Sequence, residues 1–175
     1  MSYINVEIKA RTERSAEIHT YLMEQGADFK GTDLQTDTYF NVPNGRLKLR
    51  EGSIENNLIY YFRPNIAGPK TSSFDLVAVN DPSSLQKVLL KALGVKVVVS
   101  KRRSIYYIEN VKFHLDHIEG LGSFVEIEAG NKLADLPLSR LQEQCDHYIN
   151  VFGIKPEDFI QVSYSDMLLE KASEG

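Results

Sequence analysis

The sequence predicts an α+β domain: a mainly antiparallel sheet of about eight strands, disposed to curl and close into a barrel, with helices packed outside. Three observations carry this expectation. About eight segments alternate apolar and polar residues with the two-residue period of a strand. Most are joined by short connections, which suit antiparallel neighbours. Three longer stretches carry apolar residues at helical spacing between start and stop signals.

In order, YINVEIKAR (3–11) reads as a strand, and Thr12 is placed to cap a helix from about Glu13 to Gln25, with Gly26 as its stop. QTDTYF (35–40) and RLKLRE (46–51) are two arms of a hairpin across the turn VPNG (42–45). The polar SIENN leads into the strand LIYYFRP (58–64), and the loop NIAGPK leads into FDLVAV (74–79). Asp81-Pro82 opens a helix with a capping side chain followed by proline in the first turn. Its stripe is Leu85, Val88, Leu89 and Ala92, and Gly94 ends it. VKVVVSKRRSIYYIE (95–109) is a long strand. KFHLDHIE (112–119) pairs with it through Asn110-Val111, and SFVEIEA (123–129) follows the turn at Gly120–Gly122. Pro137 to Phe152 is a helix with Leu138, Leu141, Cys145, Ile149 and Phe152 on one stripe, and SYSDMLLEK forms a short helical tail. Each half contains a helix and several strands, which hints at a repeat of structure without a repeat of residues. No linker divides the chain, so residues 1–175 read as one domain.

Composition excludes several functions. The chain is 42% apolar and 25% charged with formal net charge −4, so nothing draws it as a whole to nucleic acid or anionic membrane. The opening MSYINVEIKAR lacks the apolar run of a signal peptide, and no segment approaches the roughly 18 apolar residues of a membrane span. The one cysteine, Cys145, cannot form an intrachain disulfide and falls on a core stripe. A reducing cytoplasm is the simplest home.

The strands place their charges in one phase. Glu7 and Lys9 share a face with Asn5, opposite Val6 and Ile8. Arg46, Lys48 and Arg50 oppose Leu47 and Leu49, Lys101 pairs in phase with Arg103, Asp116 with His114, and Glu126 with Glu128. For one strand this describes an amphipathic sheet with its charges in bulk water. Repeated over six strands, with basic and acidic residues in separate sets, it describes the lining of a shared interior. Arginine and lysine bind phosphate oxygens. Carboxylates hold Mg²⁺ or Mn²⁺, which bridges phosphates. A polyphosphate with a divalent metal answers both sets. His114 reads as a histidine bonded within a polar strand face ahead of a phosphate contact. His19, His117 and His147 lack metal-like spacing, the tyrosines at 60, 61, 106 and 107 suit strand packing, and Gly120 and Gly122 suit a tight turn.

The ordered set NVEIK, GRLKLRE, YYFRP, SKRRSIYY, FHLDHIEGLGSFVEIE and SYSDMLLEK resembles the CYTH family, the triphosphate tunnel metalloenzymes, over almost the whole chain. QTDTYF, NIAGPK and GLGSFVEIE lean towards its class IV adenylyl cyclase-like branch. The resemblance implies a closed eight-stranded antiparallel tunnel holding a triphosphate, such as ATP, thiamine triphosphate or tripolyphosphate, in a monomer or homodimer. It implies Glu7, Glu126 and Glu128 as metal ligands, joined by Asp116 directly or through water. It implies Lys9, Lys48, Arg50, Arg63, Lys101 and Arg103 as phosphate ligands and Lys9 and Arg63 as catalytic groups; Arg46 fits the same face. Tyr39 sits where some family phosphatases place a tyrosine that orients a catalytic base. The partner position here is Arg63, a poor base because guanidinium stays protonated. Asn5 departs from the family's E-x-E-x-K by standing at its first position. Metal-dependent hydrolysis of a triphosphate leads, followed by cyclic AMP synthesis from ATP and then by a polyphosphate- or nucleotide-binding module without catalysis.

Overall fold

The computed structural model describes residues 2–62 and 66–174. Eight strands close into one antiparallel barrel in the order β1-β5-β4-β3-β2-β6-β7-β8. These are β1 (Ser2–Arg11), β2 (Asp28–Phe40), β3 (Arg46–Glu51), β4 (Asn57–Phe62), β5 (Lys70–Ala78), β6 (Val95–Ile108), β7 (Val111–Ile118) and β8 (Gly122–Gly130). The helices are α1 (Ser15–Glu24), α2 (Pro82–Leu93), α3 (Leu138–Val151) and α4 (Tyr164–Glu174). Each half of the chain runs strand, helix, three strands. Exchanging β1–β4 with β5–β8 reproduces the same cyclic order, so the repeat hinted at by the sequence exists in the topology.

The shared phase of the charges becomes the division between outside and inside. The outward residues Val6, Ile8, Val125, Ile127 and Phe113 are buried under Ile18 and Leu22 of α1 and Leu141 and Cys145 of α3. These side chains are removed from water on folding, at about 25 cal/mol per Å² of apolar surface, and hold the helices to one flank of the barrel. The inward parity of the same strands carries Glu7, Lys9, Glu126 and Glu128. At one end the inward positions turn apolar: Val99, Ile118 and Phe124 enclose Tyr164, which α4 inserts as a stopper. Ion pairing of Arg46 with Asp166 at 2.7 Å fastens α4 to β3.

Several elements differ from the sequence expectation. Helix α1 begins at Ser15, because the Thr12 hydroxyl accepts from Arg14 N at 3.0 Å and shapes the turn before the helix instead of capping it. Strand β2 begins at Asp28, well before Gln35; residues 28–32 are mostly exposed, and a register shift between Phe29 and Gly31 breaks the alternation. Strand β5 likewise begins early, at Lys70. Helix α2 starts as expected, with Asp81 accepting from Ser84 N at 3.1 Å, yet its stripe is not a core: none of its residues is buried and Val88 is 62% exposed. The turn between β6 and β7 rests on Glu109, a non-glycine residue at φ 53°.

Candidate functional site

The barrel encloses a cavity of about 190 Å³, more than ten times the room one water needs. Neighbouring strands divide its wall into sectors. Glu126 and Glu128 of β8 and Glu7 of β1 form an acidic sector; Phe74 and Leu76 of β5 with Ile59 and Tyr61 of β4 form an apolar one. Lys48 and Arg50 of β3 and Lys101 and Arg103 of β6 form a basic sector on either side of β2.

At the centre of the basic sector lies a carboxylate that the sequence reading passed over. Asp37 is fully buried, meets Lys48 at 3.2 Å and Lys101 at 3.0 Å, and accepts from Arg50 Nε and Nη2 at 2.9 Å each. Burial alone would raise its pKa, but Arg50, Lys101 and Lys48 outweigh burial and hold it well below the usual carboxylate range. Burial and the crowding by Arg103, Arg50 and Lys48 depress Lys101 against the pull of Asp37. Three basic side chains thus converge on one carboxylate, with Glu55 also reaching Arg50 at 3.2 Å, an arrangement of donors that suits a polyanion.

Arg103 sits between the basic and acidic sectors. It grips Asp116 through two bonds of 2.7 and 2.6 Å and reaches Glu126 at 3.2 Å. Tyr164 donates to Asp116 Oδ2 at 2.8 Å, so both Asp116 oxygens are engaged by protein groups. Lys9 lies 3.7 Å from Glu126 and 3.6 Å from the centre of the Tyr164 ring, a cation–π contact.

In the acidic sector, Glu7 and Glu128 face each other in register, as do Lys9 and Glu126. Burial first, then Glu7 and Glu126, push Glu128 up to about 7. Burial also acts on Glu126, but Lys9 and Arg103 hold it well below the ordinary range. His114, opposite Glu126 in the β7–β8 ladder, completes a cluster. One ligand atom each from His114, Glu126 and Glu128 fall within 4.8 Å of one another. Burial, then Arg103, push the imidazole down to about 3, so it is neutral at neutral pH. Crowded carboxylates and a buried neutral imidazole are a donor set that fits a divalent cation.

The structure thus brings Glu7, Lys9, Tyr39, Lys48, Arg50, Lys101, Arg103, Glu126 and Glu128 to one cavity. Asp116 adjoins it, bound to Arg103 and Tyr164, and Arg46 is engaged with Asp166 beside it. Arg63 lies outside the described residues. The Tyr39 hydroxyl is 3.4 Å from that of Tyr61, and burial, then Tyr61, raise its pKa well above the ordinary value, so it stays protonated. Asn5 lines the cavity near Glu7, with its side-chain oxygen in the space that the absent Gly130 side chain leaves. Residues missed in the sequence include Lys112, which meets Glu55 at 2.6 Å and shares the parity of His114 and Asp116, a signal that was available. Tyr164 arrives from a distant helix and gave none.

The CYTH domain pattern matches residues 3–164. The chain belongs to the CYTH domain family. Its CYTH barrel is similar to known proteins over nearly its whole length. A Methanocaldococcus jannaschii protein named "putative adenylate cyclase" is 27% identical over 94% of this chain and 98% of its own. A Pyrococcus horikoshii protein superposes with TM-score 0.74 over 93% of this chain and 98% of its own, at 24% identity. A Hippeastrum protein, described as an adenylyl cyclase candidate that reveals a dominant triphosphatase activity, superposes with TM-score 0.63 over 98% and 96% at 15% identity. At these identities the two superpositions establish the shared CYTH fold.

Proposed function

We propose that this CYTH protein is a divalent-metal-dependent enzyme that hydrolyses a triphosphate held in the barrel. The observation that carries this reading is the Lys48–Arg50–Lys101 cluster facing Glu7, Glu126 and Glu128 inside one closed wall. Glu7, Glu126 and Glu128 would hold the metal, which supplies charge neutralisation at the phosphate oxygens when bound. Lys48, Arg50 and Lys101 would take successive phosphate oxygens, Lys101 most readily because an incoming anion relieves its crowding by other cations. Lys9 and Arg103, between the sectors, are placed to stabilise charge that builds on the leaving oxygens as the terminal P–O bond breaks. Asp116 and Tyr164 would fix the Arg103 fork in position. Tyr39, protonated, serves as a hydrogen-bond donor rather than a base. The low-dielectric wall strengthens each of these contacts relative to water.

The apolar sector of Ile59, Tyr61, Phe74 and Leu76 favours a second reading. It offers a surface for an organic group, and the M. jannaschii relative carries an adenylate cyclase name. Cyclisation needs the ribose 3′-hydroxyl in line with the α-phosphorus and releases pyrophosphate. Hydrolysis needs water in line with the terminal phosphorus and releases phosphate. Incubation with ATP, thiamine triphosphate and tripolyphosphate in Mg²⁺ or Mn²⁺, followed by chromatography, separates these outcomes. Phosphate with the matching diphosphate supports hydrolysis; cyclic AMP with pyrophosphate replaces it by cyclisation. Binding without turnover of any of the three would leave a triphosphate-binding module.

A further inference from the structure

His114 is the feature of the cavity that neither hydrolysis nor cyclisation requires. It is 1% exposed, yet neither ring nitrogen has a hydrogen-bond partner among the described residues. Buried polar atoms in folded proteins are nearly always satisfied. Its Nδ1 is aimed between two carboxylates, 3.6 Å from Glu126 Oε2 and 3.7 Å from Glu128 Oε1. These separations exceed a hydrogen bond. They are compatible with donors arranged around one ion, since ligands about 2.1 Å from a common centre lie roughly 3–4 Å apart. The inward parity of β7 puts His114 there, and the β7–β8 register puts Glu126 directly opposite.

We propose that His114 is a nitrogen ligand to the divalent cation held by Glu126 and Glu128, so that the site carries a mixed imidazole–carboxylate donor set and takes Mn²⁺ in preference to Mg²⁺. The inference rests on the metal-dependent reading above and goes beyond it in naming the ligand and the metal class. Mg²⁺ favours all-oxygen shells and gives up its waters reluctantly. Imidazole shifts affinity towards first-row transition metals. The same barrel with a third carboxylate in place of His114 would not discriminate in this way.

The test uses the metal alone, without triphosphate, so it is independent of turnover. Mn²⁺ is bound to the full chain carrying isotopically labelled histidine, and nitrogen hyperfine coupling is read by pulsed electron paramagnetic resonance. Calorimetry gives the Mn²⁺ and Mg²⁺ affinities of the wild type and of His114→Gln. The expected result is coupling to a histidine nitrogen and at least about tenfold tighter binding of Mn²⁺ than Mg²⁺. In the variant the coupling disappears and Mn²⁺ affinity falls by about tenfold or more. Bound Mn²⁺ without histidine coupling in the wild type overturns the proposal, and that measurement does not depend on how the variant folds. Unchanged Mn²⁺ affinity in a folded His114→Gln protein overturns it too, including the case in which only tripolyphosphate binding weakens and His114 proves to be a phosphate contact. Histidine coupling in a protein that turns over no triphosphate would uphold the ligand and remove the enzymatic reading.

Discussion

Asp37 and Arg50 stand opposite each other in the β2–β3 ladder and share two parallel hydrogen bonds of 2.9 Å, both partners buried. The carboxylate is an internal stand-in for a phosphate. It keeps Lys48, Arg50 and Lys101 converged on one point, and under the proposed function a triphosphate would meet a cation cluster that is already assembled.

Asp37→Asn should therefore destabilise the ligand-free protein strongly, by about 3–5 kcal/mol, because it leaves buried cations without their anion. Tripolyphosphate should raise the melting temperature more in the variant than in the wild type, since it restores the missing charge. Equal ligand-induced shifts in the two proteins would show that the ligand does not reach this cluster.

Glu126→Gln and Glu128→Gln should behave differently despite their neighbouring positions. Glu126 is held ionised by Lys9 and Arg103, so its neutralisation should lower metal-free stability by about 1–3 kcal/mol. Glu128 is crowded by Glu7 and Glu126, so its neutralisation should leave metal-free stability unchanged or raise it. Both should abolish most of the stabilisation that Mn²⁺ confers. Melting curves in chelator and in Mn²⁺ check all three statements, and a full metal response in either variant removes that residue from the metal site.

Asp33 offers a test of stability against pH away from the cavity's metal-binding wall. It is fully buried and accepts from Ser53 N at 2.7 Å, Ile54 N and Glu55 N at 3.0 Å, and Gln35 Nε2 at 3.0 Å. Burial alone would raise its pKa, but these bonds prevail and the folded-state value is lowered. A lowered folded pKa means stability that is present in full above the unfolded value near pH 4 and is lost as pH falls through the folded one. Asp33→Asn should cost about 1–3 kcal/mol at pH 7 and progressively less below about pH 4. Urea unfolding across that range measures it; a cost that does not shrink on acidification contradicts the assignment. Gly52→Ala should mimic the defect at pH 7, because a methyl group there would meet Asp33 Oδ2 at 2.6 Å.

Asn5→Asp should tighten Mn²⁺ and Mg²⁺ binding by adding a charged oxygen beside Glu7. It should also lower metal-free stability, because the acidic sector is already crowded. Calorimetric titration in both metals checks the first statement. Unchanged affinity at neutral pH would mean that position 5 does not face the ion.

Much of this site was legible in strand parity. Val6 and Ile8 against Glu7 and Lys9, or Val125 and Ile127 against Glu126 and Glu128, specify which way each strand faces whatever its neighbours are. Ladder order and register were not legible, and these decide who meets whom. Asp37 looks in the sequence like any solvated acid in a polar strand; only the juxtaposition of β3 and β6 on either side of β2 turns it into the hub of three cations. In the sequence His114 looks like a satisfied strand histidine, because its unpartnered nitrogens are a property of the assembled wall. The first half of β2 was missed because DFKGTDL has no apolar alternation to detect, and it is held by backbone pairing with β6.

The closure of the barrel has a consequence in time. Strand β1 is made first, yet its ladder partners are β5 and β8: Asn5 pairs with Ser72 on one side and with Gly130 on the other. On a ribosome adding about 5–20 residues per second, β1 waits on the order of ten seconds for β8 to be synthesised. Pairings this remote in sequence form slowly even in a finished chain. Until then the β8-facing edge of β1 is unpaired, and other strands can capture it. The wall bearing Glu7 and Lys9 is thus completed last, and a nascent or truncated chain that lacks β8 has a folded basic sector at most and no acidic one.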